Sequence, residues 1–175
     1  RFSPRNRFVA DILNQHHIAT LLADLLTPEE DAVYANRFNI ELLTERLIAI
    51  TRWISQRDFG QTIPIGYFGA STGAASALKA AVPCGNIVSA VVSRGGRPDL
   101  AAASLAYVKT PTLLIVGSLD EEVLALNEQA LESLPCEKQL TIIKGATHLF
   151  EEPGKLEEVA RLATDWFLHH LRQPA

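Results

Sequence analysis

The stretch Ile63 to Gly73, IPIGYFGASTG, constrains this chain more than any other. A short apolar run ends in Gly69-Ala70-Ser71-Thr72-Gly73 and passes directly into the helix-forming residues Ala74 to Ala81. The spacing predicts a strand, a tight turn and a helix, with a serine at the apex of the turn. In a G-x-S-x-G turn the serine sits in a strained conformation that holds its hydroxyl out for attack. Side chains two residues to either side are expected to collide with neighbouring backbone, so glycine stands at 69 and 73. A glycine-lined turn that only packs a helix tightly on a sheet has the same spacing, and the rest of the chain has to decide between the two.

Around this stretch, apolar runs of strand length alternate with segments of helical period. Ser3-Pro4 predicts an N-cap followed by proline in the first turn, and Phe8, Val9, Ile12 and Leu13 place a helix over about Pro4 to Gln15. Ile18 to Leu26, IATLLADLL, suits a strand buried on both faces of a parallel sheet. Thr27 to Asp31 is expected to be a polar, acidic loop. Leu43, Leu47, Ile50 and Ile54 mark a helix from about Asn36 to Gln56, and Arg57 to Thr62 return the chain to the strand at Ile63 to Phe68.

Further strands are expected at Ile87 to Val92, Pro111 to Gly117 and Leu140 to Ile143. A helix carrying Leu124, Asn127, Leu131 and Leu134 follows Asp120. The closing helix shows the stripe Leu156, Val159, Ala160, Ala163, Trp166, Phe167 and Leu171. This alternation predicts the α/β class: a doubly wound, mostly parallel sheet with helices on both faces and right-handed crossovers. With no internal repeat, low-complexity tract or linker, the 175 residues are expected to form a single domain.

Composition narrows the function. Hydrophobic residues make up 47% and charged residues 21%, ordinary globular values that argue against disorder. A formal charge of -4 without a basic cluster argues against nucleic acid or an anionic membrane surface as a partner. No apolar run reaches membrane-spanning length, and the first residues lack the pattern of a signal peptide. Cys84 and Cys136 lie in unrelated segments without ligand-like partners, so neither a disulfide framework nor a zinc site is expected. A cytoplasmic protein without metal or cofactor, acting on a small molecule, is the expectation. The absence of methionine, with the chain opening on Arg1-Phe2-Ser3-Pro4, suggests that its natural beginning is not included.

In open parallel sheets, ligands bind outside the carboxyl ends of the strands. Ser71, Asp120 and His148 each follow a strand and so fall at that one edge, in the chain order Ser, Asp, His found in α/β-hydrolases. A serine hydroxyl is a poor nucleophile until an imidazole takes its proton, and the imidazole needs a carboxylate to fix its tautomer. The other histidines, His16, His17, His169 and His170, lie on or at the end of helices, where a surface role is expected. Glu121 and Glu122 compete with Asp120 but suit the first turn of the next helix. Asp24 is the remaining alternative for the acid.

Gly66 to Gly73, Val92 to Leu100, Pro111 to Asp120 and Ala146 to Gly154 together resemble a serine-nucleophile subgroup of the dienelactone hydrolase family within the α/β-hydrolases. The similarity covers nearly the whole chain and implies Ser71 as nucleophile, His148 as base and Asp120 as its partner. Dienelactone hydrolases proper use cysteine where this chain has serine, which favours general ester chemistry over a dienelactone. The Thr72 backbone N–H is expected to be one oxyanion donor. In the resembling family the second donor comes from a loop, marked His-Gly, after a strand that precedes the helix corresponding to Pro4 to Gln15. Neither occurs here. The missing strand would lie between Ile18 to Leu26 and Ile63 to Phe68, so a fold lacking its N-terminal strands is expected, with a gap or a forced pairing there.

Only Ser93 to Thr110 lie where related hydrolases insert a cap, so an open site and a small ester, lactone or thioester are expected. Arg94 and Arg97 follow a strand at the same edge, where a guanidinium fork can bind a substrate carboxylate; structural salt bridges are the alternative. Gly66, Gly69 and Gly73 do not fit the G-x-G-x-x-G of a dinucleotide-binding module. An acyltransferase using the same three residues, and a non-catalytic domain with an incomplete oxyanion hole, remain as alternatives.

Overall fold

Four of the apolar runs predicted as strands pair into one parallel sheet; the strands at Val88–Arg94 and Thr112–Gly117 are buried on both faces between two helical layers, while the edge strand at Lys138–Ile143 is largely exposed. A computed structural model describes residues 3–58 and 63–171. Strands β1 (Ile65–Ala70), β2 (Val88–Arg94), β3 (Thr112–Gly117) and β4 (Lys138–Ile143) form a four-stranded sheet in the order β1-β2-β3-β4. Every pairing is parallel, with Ala70 beside Arg94, Arg94 beside Ile115 and Gly117 beside Ile143.

Helices α1 (Pro4–Gln15) and α7 (Lys155–His170) cover one face of the sheet, where Val9, Leu13, Val159, Ala160 and Phe167 pack with Ala90, Val92, Leu113 and Ile115. Helices α3 (Ile40–Ser55), α4 (Thr72–Ala81) and α6 (Glu121–Ser133), with the short α5 (Ala102–Leu105), cover the other around Leu78, Val91 and Leu114. Leu113, Leu114 and Ile115 are at most 1% exposed. Burying each stabilises the fold by roughly 1.5–3 kcal/mol. A short α2 (Pro28–Asp31) completes the helices among the described residues. None of the described helices is long and apolar enough to cross a membrane.

Helix α1 starts where Ser3 and Pro4 predict, with the Ser3 side chain accepting from the Asn6 backbone N–H. Three expectations change. Ile18 to Leu26 form no strand; only Ile18, Leu25 and Leu26 of that run lean on the core. A strand is defined by its hydrogen-bonded neighbour, and among the described residues β1 pairs with β2 alone. The expected gap is therefore open, not closed by pairing of the two segments. Thr27 to Asp31 are a helical turn rather than a loop, with a capping box between Thr27 and Glu30. Helix α3 begins at Ile40, because the Asn39 side chain caps the Leu42 N–H; the preceding Tyr34–Phe38 form a 3-10 turn. Of the expected return loop, residues 59–62 lie outside the described residues, as do Arg1 and Phe2.

Candidate active site

The carboxyl ends of β1, β2, β3 and β4 carry four turns that interlock. At the end of β1, Ser71 has φ 51° and ψ -122°, a conformation costly for any residue with a side chain. Its carbonyl accepts from both Ala74 N at 3.1 Å and Arg97 N at 3.2 Å, and its N–H donates to Arg94 O at 3.3 Å. The turn is thus held from two sides. Gly69 is obligatory: a Cβ there would lie 2.5 Å from Gly73 O and 2.6 Å from Ala74 Cα. Gly73 departs from expectation, since a Cβ there would meet nothing within 4 Å. The crowding of the elbow falls on its strand side alone.

Ser71 is the N-cap of α4, but its side chain makes no capping bond. The first-turn donors of a helix have no intrahelical partner, and the Thr72 N–H is the first of them, beside the serine hydroxyl.

Asp120 stands at the N-cap of α6 and also leaves the cap unmade. Its carboxylate instead lies 2.6 Å from His148 Nδ1 through Oδ2. A carboxylate only accepts, so this nitrogen carries the proton and Nε2 is the free acceptor of the neutral ring. Asp120 is largely buried, its side chain 15% exposed, whereas His148 is 39% exposed. The carboxylate is shielded and the imidazole faces out. The two supporting turns are stitched together: Leu119 N donates to Ala146 O at 3.0 Å, Ser118 N to Ile143 O at 3.0 Å, and Gly145 N to Ser118 Oγ at 2.8 Å. Beyond His148, Glu152 accepts from Thr147 N and Oγ1, and the Thr147 hydroxyl bond holds the Glu152 carboxyl below its ordinary range.

The link between serine and histidine runs through β2. Arg94 O accepts from Ser71, and the next residue, Gly95 at φ 50°, packs on His148: a Cβ on Gly95 would lie 3.4 Å from His148 Nδ1. The structure therefore gathers Ser71, Thr72, Asp120 and His148 at one sheet edge. Among the described residues the imidazole hydrogen bond goes to Asp120 and none joins it to the Ser71 hydroxyl.

The two arginines part company. Arg97 lays its fork on Asp99, Nε to Oδ1 at 2.9 Å and Nη2 to Oδ2 at 2.7 Å, which raises its pKa and engages two of its five donors. This is the salt-bridge alternative. Arg94 is 7% exposed and its buried Nη1 has no hydrogen-bond partner among the described residues. Burial, and then the nearby Arg5, draw its pKa down to about 10. Arg5 itself is paired with Glu151 at 2.7 Å.

One residue had no role in the sequence reading. Asn127, fully buried on α6, donates through Nδ2 to Gly96 O at 2.9 Å and to Val123 O at 2.7 Å. A signal existed: an amide standing in the otherwise apolar stripe of Leu124, Leu131 and Leu134 calls for buried partners, which Nδ2 finds and Oδ1, among the described residues, does not.

No profile of a known protein family matches the chain. Two curated proteins from strains of Mycobacterium tuberculosis, which carry the provisional name phosphoribosyl transferase, are 58% identical over 174 residues; these cover 99% of this chain and 39% of theirs. Est1E from Butyrivibrio proteoclasticus shares the fold, with a TM-score of 0.80 at 17% identity over 96% of this chain and 82% of that one. The crystal structure of dienelactone hydrolase from Anabaena variabilis superposes with a TM-score of 0.94 at 54% identity, covering 98% of this chain and 81% of that one. At that identity and coverage, the chain belongs to the dienelactone hydrolase family of the α/β-hydrolases.

Proposed function

We propose that the chain is a serine hydrolase that cleaves a small ester, lactone or thioester through an acyl-enzyme on Ser71. The observation that carries this reading is the 2.6 Å contact of His148 with the largely buried Asp120, next to a serine held at positive φ and tied to it through Arg94 and Gly95. In this scheme the Ser71 Oγ attacks the acyl carbonyl as its proton passes to His148 Nε2. Asp120 keeps the ring in the needed tautomer and stabilises the imidazolium. Thr72 N–H donates to the oxygen that becomes negative. The ester bond then breaks, and the departing alkoxide or thiolate takes the proton from His148. Water, deprotonated by the same nitrogen, releases the acid and restores the hydroxyl.

The substrate in this reading carries an anionic group held by Arg94. The Nη1, without a partner among the described residues, supports it, because a buried guanidinium nitrogen left unpaired is costly unless an anion meets it. The open stretch between β2 and β3, with only short helical turns at Pro98–Ala101 and Ala102–Leu105, favours a small substrate over a long lipid. The provisional name of the mycobacterial relatives refers to proteins of which this chain spans 39%. A transferase that moves the acyl group to an acceptor other than water would use the same residues.

Fluorophosphonate labelling tests the proposal. Modification is expected at Ser71, lost in Ser71→Ala and slowed in His148→Gln and Asp120→Asn. A folded protein that leaves Ser71 unmodified would favour a non-catalytic α/β-hydrolase domain instead.

A further inference from the structure

At the opposite end of α7 from its Gly154 cap, His169 and His170 meet Glu137, the residue immediately before β4. One ligand atom from each of the three lies within 4.8 Å of the others. His170 Nε2 is 3.6 Å from the Glu137 carboxylate, beyond hydrogen-bond reach, and this buried nitrogen has no hydrogen-bond partner among the described residues. The His170 side chain is 8% exposed, held by Trp166 with ring centroids 4.3 Å apart. Buried ring nitrogens are ordinarily hydrogen-bonded, and this one stands nearest a carboxylate.

We propose that Glu137, His169 and His170 bind one borderline divalent cation, zinc above all, which clips the end of α7 to the start of β4. Two imidazoles and one carboxylate form a donor set suited to zinc, nickel or copper and poorly suited to magnesium or calcium. The rings of His169 and His170 stand edge to face, 85° apart with centroids at 4.6 Å, so adjacent residues present nitrogens from different directions. Zinc bonds of roughly 2.0–2.2 Å require the ligand atoms to draw closer than they stand. Both groups that have to move are free to do so, because Glu137 and His169 are exposed. The Glu137 backbone is fixed, its carbonyl accepting from Thr112 N at 2.9 Å, so closure is a matter of side-chain rotation. A cation here also faces the C-terminal end of a 16-residue helix, whose last carbonyls favour positive charge. Water takes the fourth position. The site is independent of Ser71 and of any reading of its chemistry.

Calorimetric titration of the EDTA-treated chain with zinc chloride, alongside thermal melts, tests the proposal. One equivalent is expected to bind and to raise the melting temperature, while magnesium does neither. Glu137→Gln and His169→Gln alter exposed side chains and keep the fold, and each is expected to weaken zinc binding by at least roughly 10–100-fold. His148→Gln, which removes the other histidine–carboxylate pair, is expected to leave the affinity unchanged. No saturable zinc binding, wild-type affinity in both exposed variants, or loss of binding in His148→Gln would each overturn the proposal.

Discussion

Asn127 Nδ2 donates to the carbonyl of Gly96 at 2.9 Å, so the helix whose N-cap is Asp120 also holds the loop on which His148 rests. Helix α6 thereby sets acid and loop as one unit. Arg97 N, on the far side of the same loop, donates to Ser71 O at 3.2 Å, so a shift at Gly96 reaches the serine as well. Asn127→Leu keeps the volume and removes the donor, leaving a buried carbonyl unpaired. A loss of about 1–3 kcal/mol is expected, read from the urea midpoint. Fluorophosphonate labelling of the remaining folded protein is expected to slow as well. An unchanged labelling rate would reduce Asn127 to a packing residue.

The two glycines of the elbow make opposite predictions. Gly69→Ala forces a methyl against the Gly73 carbonyl and the Ala74 backbone, none of which can move without displacing α4. A loss of at least about 1–3 kcal/mol follows from overpacking. Gly73→Ala adds its methyl to open space in the first turn of α4, at a residue without positive φ. That variant is expected to gain about 0.4–1 kcal/mol by restricting the unfolded chain. Thermal melts of the pair decide whether the crowding lies on one side of the serine.

Residues that act through local chemistry are readable in the sequence, and those that act through a distant partner are not. Ser3 and Pro4 fix the start of α1 because a cap and a first-turn proline depend on the next three residues alone. Asn39 carried the same kind of signal, an Asn before Ile40 with Glu41 in the first turn, and it moves the start of α3 beyond the expected Asn36. Ile18 to Leu26 have the composition of a buried strand, but composition cannot supply the neighbour that makes a strand. The sheet-edge rule brought Ser71, Asp120 and His148 together since strand ends converge whatever the loops do. Arg97 and Arg94 look alike in sequence and differ because Asp99 lies within reach of one guanidinium, whereas the buried Nη1 of the other meets no partner among the described residues.

The Arg97–Asp99 pair contributes to the acid limb of stability. Hydrogen bonds from Arg97, more than simple attraction, hold the Asp99 carboxyl below its ordinary range. The unfolded chain binds that proton more readily, so the stabilisation is fully present above the unfolded pKa of about 3.9 and is lost as pH falls through the lower folded value. Both side chains are partly exposed, which limits the effect to under about 1 kcal/mol. Asp99→Asn is expected to flatten the fall in urea midpoint below pH 4 and to leave a residual slope from Glu152, whose carboxyl is lowered in the same sense. A wild-type slope in the variant would remove the pair from the account.

Arg94 couples stability to the proposed substrate. Burial lowers its pKa to about 10, yet the group still carries its charge at neutral pH, so the folded state holds a desolvated cation. Because the unfolded arginine keeps its proton to a higher pH, the penalty is complete below about pH 10. It is relieved as pH rises from there towards the unfolded value. Arg94→Met replaces the guanidinium by an apolar chain and is expected to stabilise the folded state at pH 7 by about 1–3 kcal/mol. If Arg94 holds the anionic end of the substrate, the same change lowers kcat/KM for an anionic ester roughly tenfold or more relative to a neutral ester of the same acyl group. A variant that is more stable and treats the two esters alike would show that the cation has another partner, and the substrate class would then have to be sought elsewhere at the site.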